Sequence, residues 1–306
     1  MCGVVRTIST RQRGEREPME IERLAVSTGT LPYALGAQYH EMDALAAAVE
    51  ALRHPYLEVV LHPDWRTEPE PRTVQPSAWT ESTSLSFPDF AQWITRRLTT
   101  ASVISIHGNR DLGSFIASGD REDWSCGRKL AEGNLQVAES VGARVFVAHA
   151  WDPQDPDPKL EIAGEILGDL GEQFPGVRIT VETIPTHEGA PSQPTSLERV
   201  LGAGADLGVT LDLAWVSHHG SLEDFLPFVE RVANVHVQGR IHRDERGVTL
   251  LARGSGVPLE PMMRRLLERD YPGQWTLELN GSRSLLDFAE ALEHLDEIIT
   301  GRERGK

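Results

Sequence analysis

Cysteine is nearly absent: Cys2 and Cys126 are the only two in 306 residues. Two thiols cannot build a disulfide framework or a zinc ribbon, so burial and hydrogen bonding must hold the fold. No run of eighteen apolar residues occurs, which excludes a helical membrane span. No apolar stretch of the secretory type follows the start, so the expectation is a cytoplasmic protein. Positive charge is in deficit, with 30 Lys and Arg against 46 Asp and Glu for a net charge of -16. That balance opposes general attraction to phosphate backbones and sets nucleic acid low among partners. Missing too is a Gly-x-Gly-x-x-Gly after the first strand, the support a doubly wound dinucleotide-binding sheet would need. What is there is ordinary for a globular protein: 40% hydrophobic and 25% charged residues, enough chain for one large domain or two small ones.

The ends differ from the middle. "RTISTRQRGEREPME" is polar, Arg-rich and without apolar periodicity, so residues 1–22 read as a disordered extension, with Met19 an alternative natural start. "GRERGK" at 301–306 reads as a second tail. Between them strand-like and helix-like segments alternate. Strands are expected at 23–31, 56–62, 101–108, 143–150, 177–184, 207–214, 233–239 and 274–281. Helices are expected at about 40–54, 87–99, 124–141, 158–173, 196–203, 221–231, 258–269 and 284–299. Short β-branched strands separated by helices predict right-handed βαβ units around a parallel sheet. Eight such units predict a single α/β domain at 23–300, a (β/α)8 TIM barrel. The longest irregular stretch, 63–86, follows the second strand and carries Trp65 and Trp79. It reads equally as a lid over the mouth or as a disordered surface excursion.

The segment "DLGVTLDLAWVSHHG", 206–220, puts a carboxylate, Asp212, at the end of an apolar run. Such a group needs a partner, which could be a helix N-terminus, an arginine or a metal ion. Other strands end in the same manner: His62 on the second, His107, His149 and Glu182 on the third to fifth, His236 and Glu278 on the seventh and eighth. Glu58 lies earlier on the second strand. One buried His or one strand-end carboxylate has a plain structural explanation. Six consecutive strands ending so would converge on one mouth in a barrel. Oxygen ligands with one or two imidazoles suit Mn, Mg, Co or Zn.

The order Glu, Asp, His, Glu over the last four strands resembles the xylose isomerase-like barrels, the superfamily of sugar isomerases and epimerases that also contains endonuclease IV. The resemblance is carried by "ITVETIP" with Glu182, "GVTLDLAW" with Asp212, "NVHVQG" with His236 and "WTLELNG" with Glu278. "GSGVPLEPMMRRLLERDYPGQWTLEL" adds to it. The resemblance implies one divalent metal ion (Mn, Mg or Co, with Zn as a further alternative) held by Glu182, Asp212, His236 and Glu278. It implies that Glu182 and Glu278 also move protons at the substrate carbon, through an enediolate. His107 and His149 would contact substrate oxygens from the mouth, with His62 beside them. Arg240 would hold a substrate hydroxyl or carboxylate, or else pair at the surface with Asp244 or Glu245.

Three departures bear on this. Many relatives place a His three residues after the strand-six Asp, where this chain has Trp215, which is expected to line the pocket or to pack as core. "HVQGR" lacks the usual acidic residue soon after the strand-seven His. Endonuclease IV relatives carry an Asp-x-His before the Gly-x-Gly turn, where "TLLARGSG" offers Thr249 and Leu251, so a three-metal nuclease site is incomplete. The reading is therefore a metal-dependent isomerase or epimerase of a sugar or related hydroxy-carbonyl compound. The alternatives are a lyase, hydrolase or dehydratase on the same barrel, or a binding barrel without catalysis. The expected partner is a small sugar-like molecule, with homo-oligomerisation left open.

Overall fold

The computed structural model describes residues 23–37, 41–61, 86–245 and 247–301. His62 and nearly all of the 63–86 stretch fall outside them. Among the described residues nine strands form one sheet: β1 (Leu24–Ser27), β2 (Tyr56–Val60), β3 (Ser102–His107), β4 (Val145–Ala148), β5 (Arg178–Glu182), β6 (Gly208–Asp212), β7 (Val232–Asp244), β8 (Gly247–Ala252) and β9 (Gln274–Leu279). Each of β1 to β6 pairs in parallel with the next, β6 pairs with β7, β7 with β9, and β9 with β1. Eight parallel strands thus close into a barrel, as the alternation of segments predicted. β8 stands outside the ring, antiparallel to the far half of β7, from Gly239 opposite Ala252 to Asp244 opposite Gly247.

Helices wrap the barrel: α1 (Met42–Leu52), α2 (Phe87–Arg97), α3 (Leu112–Ile116), α4 (Arg121–Val141), α5 (Leu160–Gln173), α6 (Gln193–Ala203), α7 (Leu213–His219), α8 (Glu260–Leu267) and α9 (Leu285–Thr300). Several starts are set by side-chain caps. Ser86 accepts from Asp89 N, Asp120 from Glu122 N, and Ser284 from Leu286 N. Each such cap is worth about 1 kcal/mol. Among the described residues no helix is long and apolar enough to cross a membrane.

The period-two alternation of each strand sorts its residues between two environments. Ile106, Phe146, Ile179, Val181, Val209, Leu211, Val235 and Leu277 belong to the large apolar cluster that the helices complete. The alternate positions Ser105, Thr180, Thr210, Asn234, Gln274 and Thr276 are equally buried and polar, and they hydrogen-bond to one another across the barrel. Burying an apolar side chain is worth about 1.5–3 kcal/mol, whereas buried polar groups are tolerated only when paired. The sheet is therefore held from its outer, helix-facing side, and its interior is free to carry chemistry.

Two segments differ from the sequence expectation. The helix expected at 221–231 begins earlier, as α7 directly after Asp212, and only a 3-10 turn, Leu226–Arg231, occupies the later half. β7 does not stop at 239 but runs on as one arm of the β7–β8 hairpin.

Candidate functional site

Parallel register brings the strand-end residues together. Asp212 pairs with His236, His236 with Thr276, and Gln238 with Glu278. Glu182, Asp212 and His236 each offer an atom within 4.8 Å of the others, and His107, His236 and Glu278 form a second such set. His236 Nδ1 lies 3.0 Å from Glu182 Oε1 and 3.7 Å from Glu278 Oε1. All four of Glu182, Asp212, His236 and Glu278 are buried.

Asp212 answers to two partners at once. Its Oδ1 accepts from Ala214 N at 2.7 Å and Trp215 N at 3.0 Å, capping α7. Its Oδ2 is buried and has no hydrogen-bond partner among the described residues. Burial pushes its carboxyl up, and the facing Glu182 and Glu278 push it further, so that it stands well above the ordinary range. An orphaned carboxylate oxygen crowded by two other carboxylates is a place that a cation would relieve. The four side chains thus fit a divalent cation by donor type and burial: three hard carboxylates and one imidazole.

Glu182 is the hub. Its Oε2 receives His149 Nε2 at 2.8 Å and His107 Nε2 at 3.0 Å, while Oε1 faces His236. Burial raises its carboxyl, but the imidazoles of His236, His149 and His107 outweigh that and hold it well below the usual range. Burial lowers His107 and His149; the nearby carboxylates reverse this for His107 and fail to for His149. His107 Nδ1 must carry its proton, because it reaches the Gly108 carbonyl at 2.9 Å. Its Nε2 then meets the Glu182 carboxylate either as the second N–H of an imidazolium or through a shared cation. His107, His149 and Glu182 in fact form a third set of donors within 4.8 Å.

Above these groups opens a cavity of about 240 Å³ whose lining includes His107, His149, Glu182, Glu278 and Trp215. Trp215 is half-buried, with its ring 5.5 Å from that of His218. His218 and His219 are tied elsewhere, to Arg253 O and to Asp224. Arg240 is exposed on the β7–β8 hairpin opposite Leu251 and does not line the cavity.

The lining also holds residues that the sequence reading did not single out: Arg110, Gln238 and Arg253. Gln238 donates to Glu278 Oε2 at 2.8 Å. The period of two along "NVHVQG" was the available signal for it, since Asn234, His236 and Gln238 share one face. Arg110 and Arg253 sit on connections, where no periodicity announces them. Glu58, noted on its strand but given no role, lies fully buried with His236 Nε2 at 3.2 Å from both of its carboxylate oxygens.

Comparison with known proteins agrees with this architecture. The family described as xylose isomerase-like TIM barrel matches residues 71–298. A D-tagatose 3-epimerase-like protein superposes with a TM-score of 0.60 at 17% identity, over 91% of this chain and 97% of its own. A xylose isomerase-like TIM barrel protein from Mycobacterium smegmatis, in complex with magnesium, gives 0.59 at 16% identity, over 92% and 97%. D-allulose 3-epimerase from Methylomonas sp. in complex with D-allulose gives 0.59 at 14% identity, over 90% and 96%. No curated protein sequence matches the chain.

Proposed function

The chain belongs to the xylose isomerase-like TIM barrel family, and from that premise we propose that it is a divalent-metal-dependent isomerase or epimerase of a sugar or related hydroxy-carbonyl compound. The observation that carries the reading is the convergence of Glu182, Asp212 and His236 within 4.8 Å, with Asp212 Oδ2 unpartnered, beside a cavity of about 240 Å³. A solved barrel of like shape, described as a D-allulose 3-epimerase in complex with D-allulose, supports it.

Glu182, Asp212, His236 and Glu278 would hold the cation. Such a cation supplies Lewis acidity, polarising a carbonyl and an adjacent hydroxyl so that the neighbouring C–H becomes acidic. Glu182 and Glu278 then remove and return a proton at that carbon. Gln238 orients Glu278 by donating to Oε2, which leaves Oε1, 3.7 Å from His236 Nδ1, toward the cation set. His107 and His149 line the cavity with their Nε2 atoms on Glu182 and would flank the substrate there, and Trp215 would stack on an apolar sugar face. The cytoplasm is the compartment we assign.

A second reading, a two-cation hydrolase or lyase, is favoured by the His107, His149 and Glu182 set, which shares Glu182 with the first. Metal analysis of the purified protein, followed by solvent-deuterium exchange into a panel of ketoses, separates the two. One equivalent of metal with exchange at a carbon beside the carbonyl, abolished in Glu278→Gln, is the expected result. Two equivalents without exchange favour the second reading. A protein that takes up no divalent ion overturns both.

A further inference from the structure

Among the described residues, Glu58 is the one buried carboxylate on a barrel strand that the proposed reaction does not use. It lies on β2 at 0% exposure, and among the described residues its ion-pair partner is His236 and no arginine or lysine. What surrounds it is a set of donors whose directions are fixed. Ser105 Oγ donates to Glu58 Oε2 at 3.0 Å, and Asn234 Nδ2 donates to the same oxygen at 3.0 Å. Gln274 Nε2 donates to Ser105 Oγ at 2.8 Å and to Thr276 Oγ1 at 2.9 Å. Thr276 in turn donates to Asn234 Oδ1 at 3.0 Å, which fixes the Asn234 amide with its nitrogen toward Glu58. Every chain of hydrogen bonds ends on Glu58, so it is held as an acceptor.

We propose that Glu58 is a positioning residue: it holds His236 with a proton on Nε2, so that Nδ1 is the nitrogen presented to Glu182, Asp212 and Glu278. The geometry is one-sided. Nε2 sits 3.2 Å from Glu58, and Nδ1 sits 3.0 Å from Glu182 Oε1. A carboxylate on the rear nitrogen of a ligating imidazole fixes its tautomer and ring plane and strengthens it as a ligand. The inference rests on the reading that the mouth holds a divalent cation.

The test is a double-mutant cycle on Mn2+ affinity, measured by calorimetry for the full chain, Glu58→Gln, His236→Gln and the double variant, with folding followed by circular dichroism. Glu58→Gln should weaken Mn2+ binding by about 10–100-fold in the parent. It should change nothing further once His236 is replaced. An equal loss in both backgrounds, or no loss in the parent, overturns the proposal while leaving the cation reading intact. No Mn2+ binding by the unsubstituted chain overturns the cation reading and this proposal with it. Should Glu58→Gln not fold, Glu58→Asp keeps the charge but draws it back by one methylene. It should also lose affinity, and parent-like affinity there overturns the proposal.

Discussion

Replacing Asp111 by Asn should stabilise the protein, and by an amount that depends on pH. Asp111 stands at the head of α3, beside Arg110 in the wall of the cavity, and is 5% exposed. Its Oδ1 has no hydrogen-bond partner among the described residues. Burial drives its carboxyl up from 3.8 to about 7, against a smaller opposing effect from its own backbone N–H. In the unfolded chain the group titrates near 3.8. Above about pH 7 it is therefore ionised in both states, and the folded state carries the full cost of a buried charge. As pH falls through 7 the folded protein binds a proton that the unfolded chain does not, and the cost shrinks, vanishing below 3.8. At 1.36 kcal/mol per pH unit the interval amounts to at most about 4 kcal/mol. Asparagine keeps the shape and removes the charge, but leaves its amide to be paired, a loss of about 1–2 kcal/mol. A net gain of about 2–3 kcal/mol would raise the melting temperature by roughly 3–5 °C at pH 8. Thermal unfolding of the parent and Asp111→Asn should show that gap closing as pH falls from 7, to nothing at about pH 5, and reversing below it as the unpaired amide outweighs the vanishing charge cost. A gap that is constant with pH, or a variant less stable than the parent at pH 8, refutes the reasoning.

Two further predictions concern the mouth. Asp212→Asn keeps the oxygen that caps α7 and removes charge from between Glu182 and Glu278. The metal-free variant should melt no lower than the metal-free parent, yet gain nothing from added Mn2+, whereas Asp212→Ala should lose about 1 kcal/mol with the cap. A parent-like rise in melting temperature with Mn2+ in Asp212→Asn would remove Asp212 from the ligand set. Trp215→His should change substrate preference and Trp215→Phe should largely preserve it, as measured by kcat/KM across a ketose panel. If both variants alter only stability, the indole is core and not pocket wall.

The eight strand–helix units were legible because each is a local pattern, with period two followed by period 3.6 and punctuated by turn residues. The strand-end carboxylates and imidazoles were legible for the same reason: such a group closing an apolar strand is conspicuous within eight residues. α7 was not, because its first turn, "LAWV", continues the apolar run of β6 and its cap is Asp212 itself. Gly220, in the left-handed region at φ 109°, closes α7, so the end of that helix was marked even though its beginning was not. The hairpin arm of β7 was obscured by "RIHRDERG", whose charges lack the apolar alternation of a barrel strand. Glu58 escaped for a different reason: its partner His236 lies 178 residues away. Only closure of the barrel sets the two side by side.

The polar lining of the barrel has a consequence for how this chain can diverge. Gln274, Ser105, Thr276, Asn234 and Glu58 each satisfy a neighbour, so exchanging any one alone strands a buried donor or acceptor, at about 1–3 kcal/mol. Apolar core positions on the outer side tolerate swaps of similar volume one at a time. Descendants of this sequence should thus drift freely beneath the helices, while the inner ring changes in concerted sets or stays as it is.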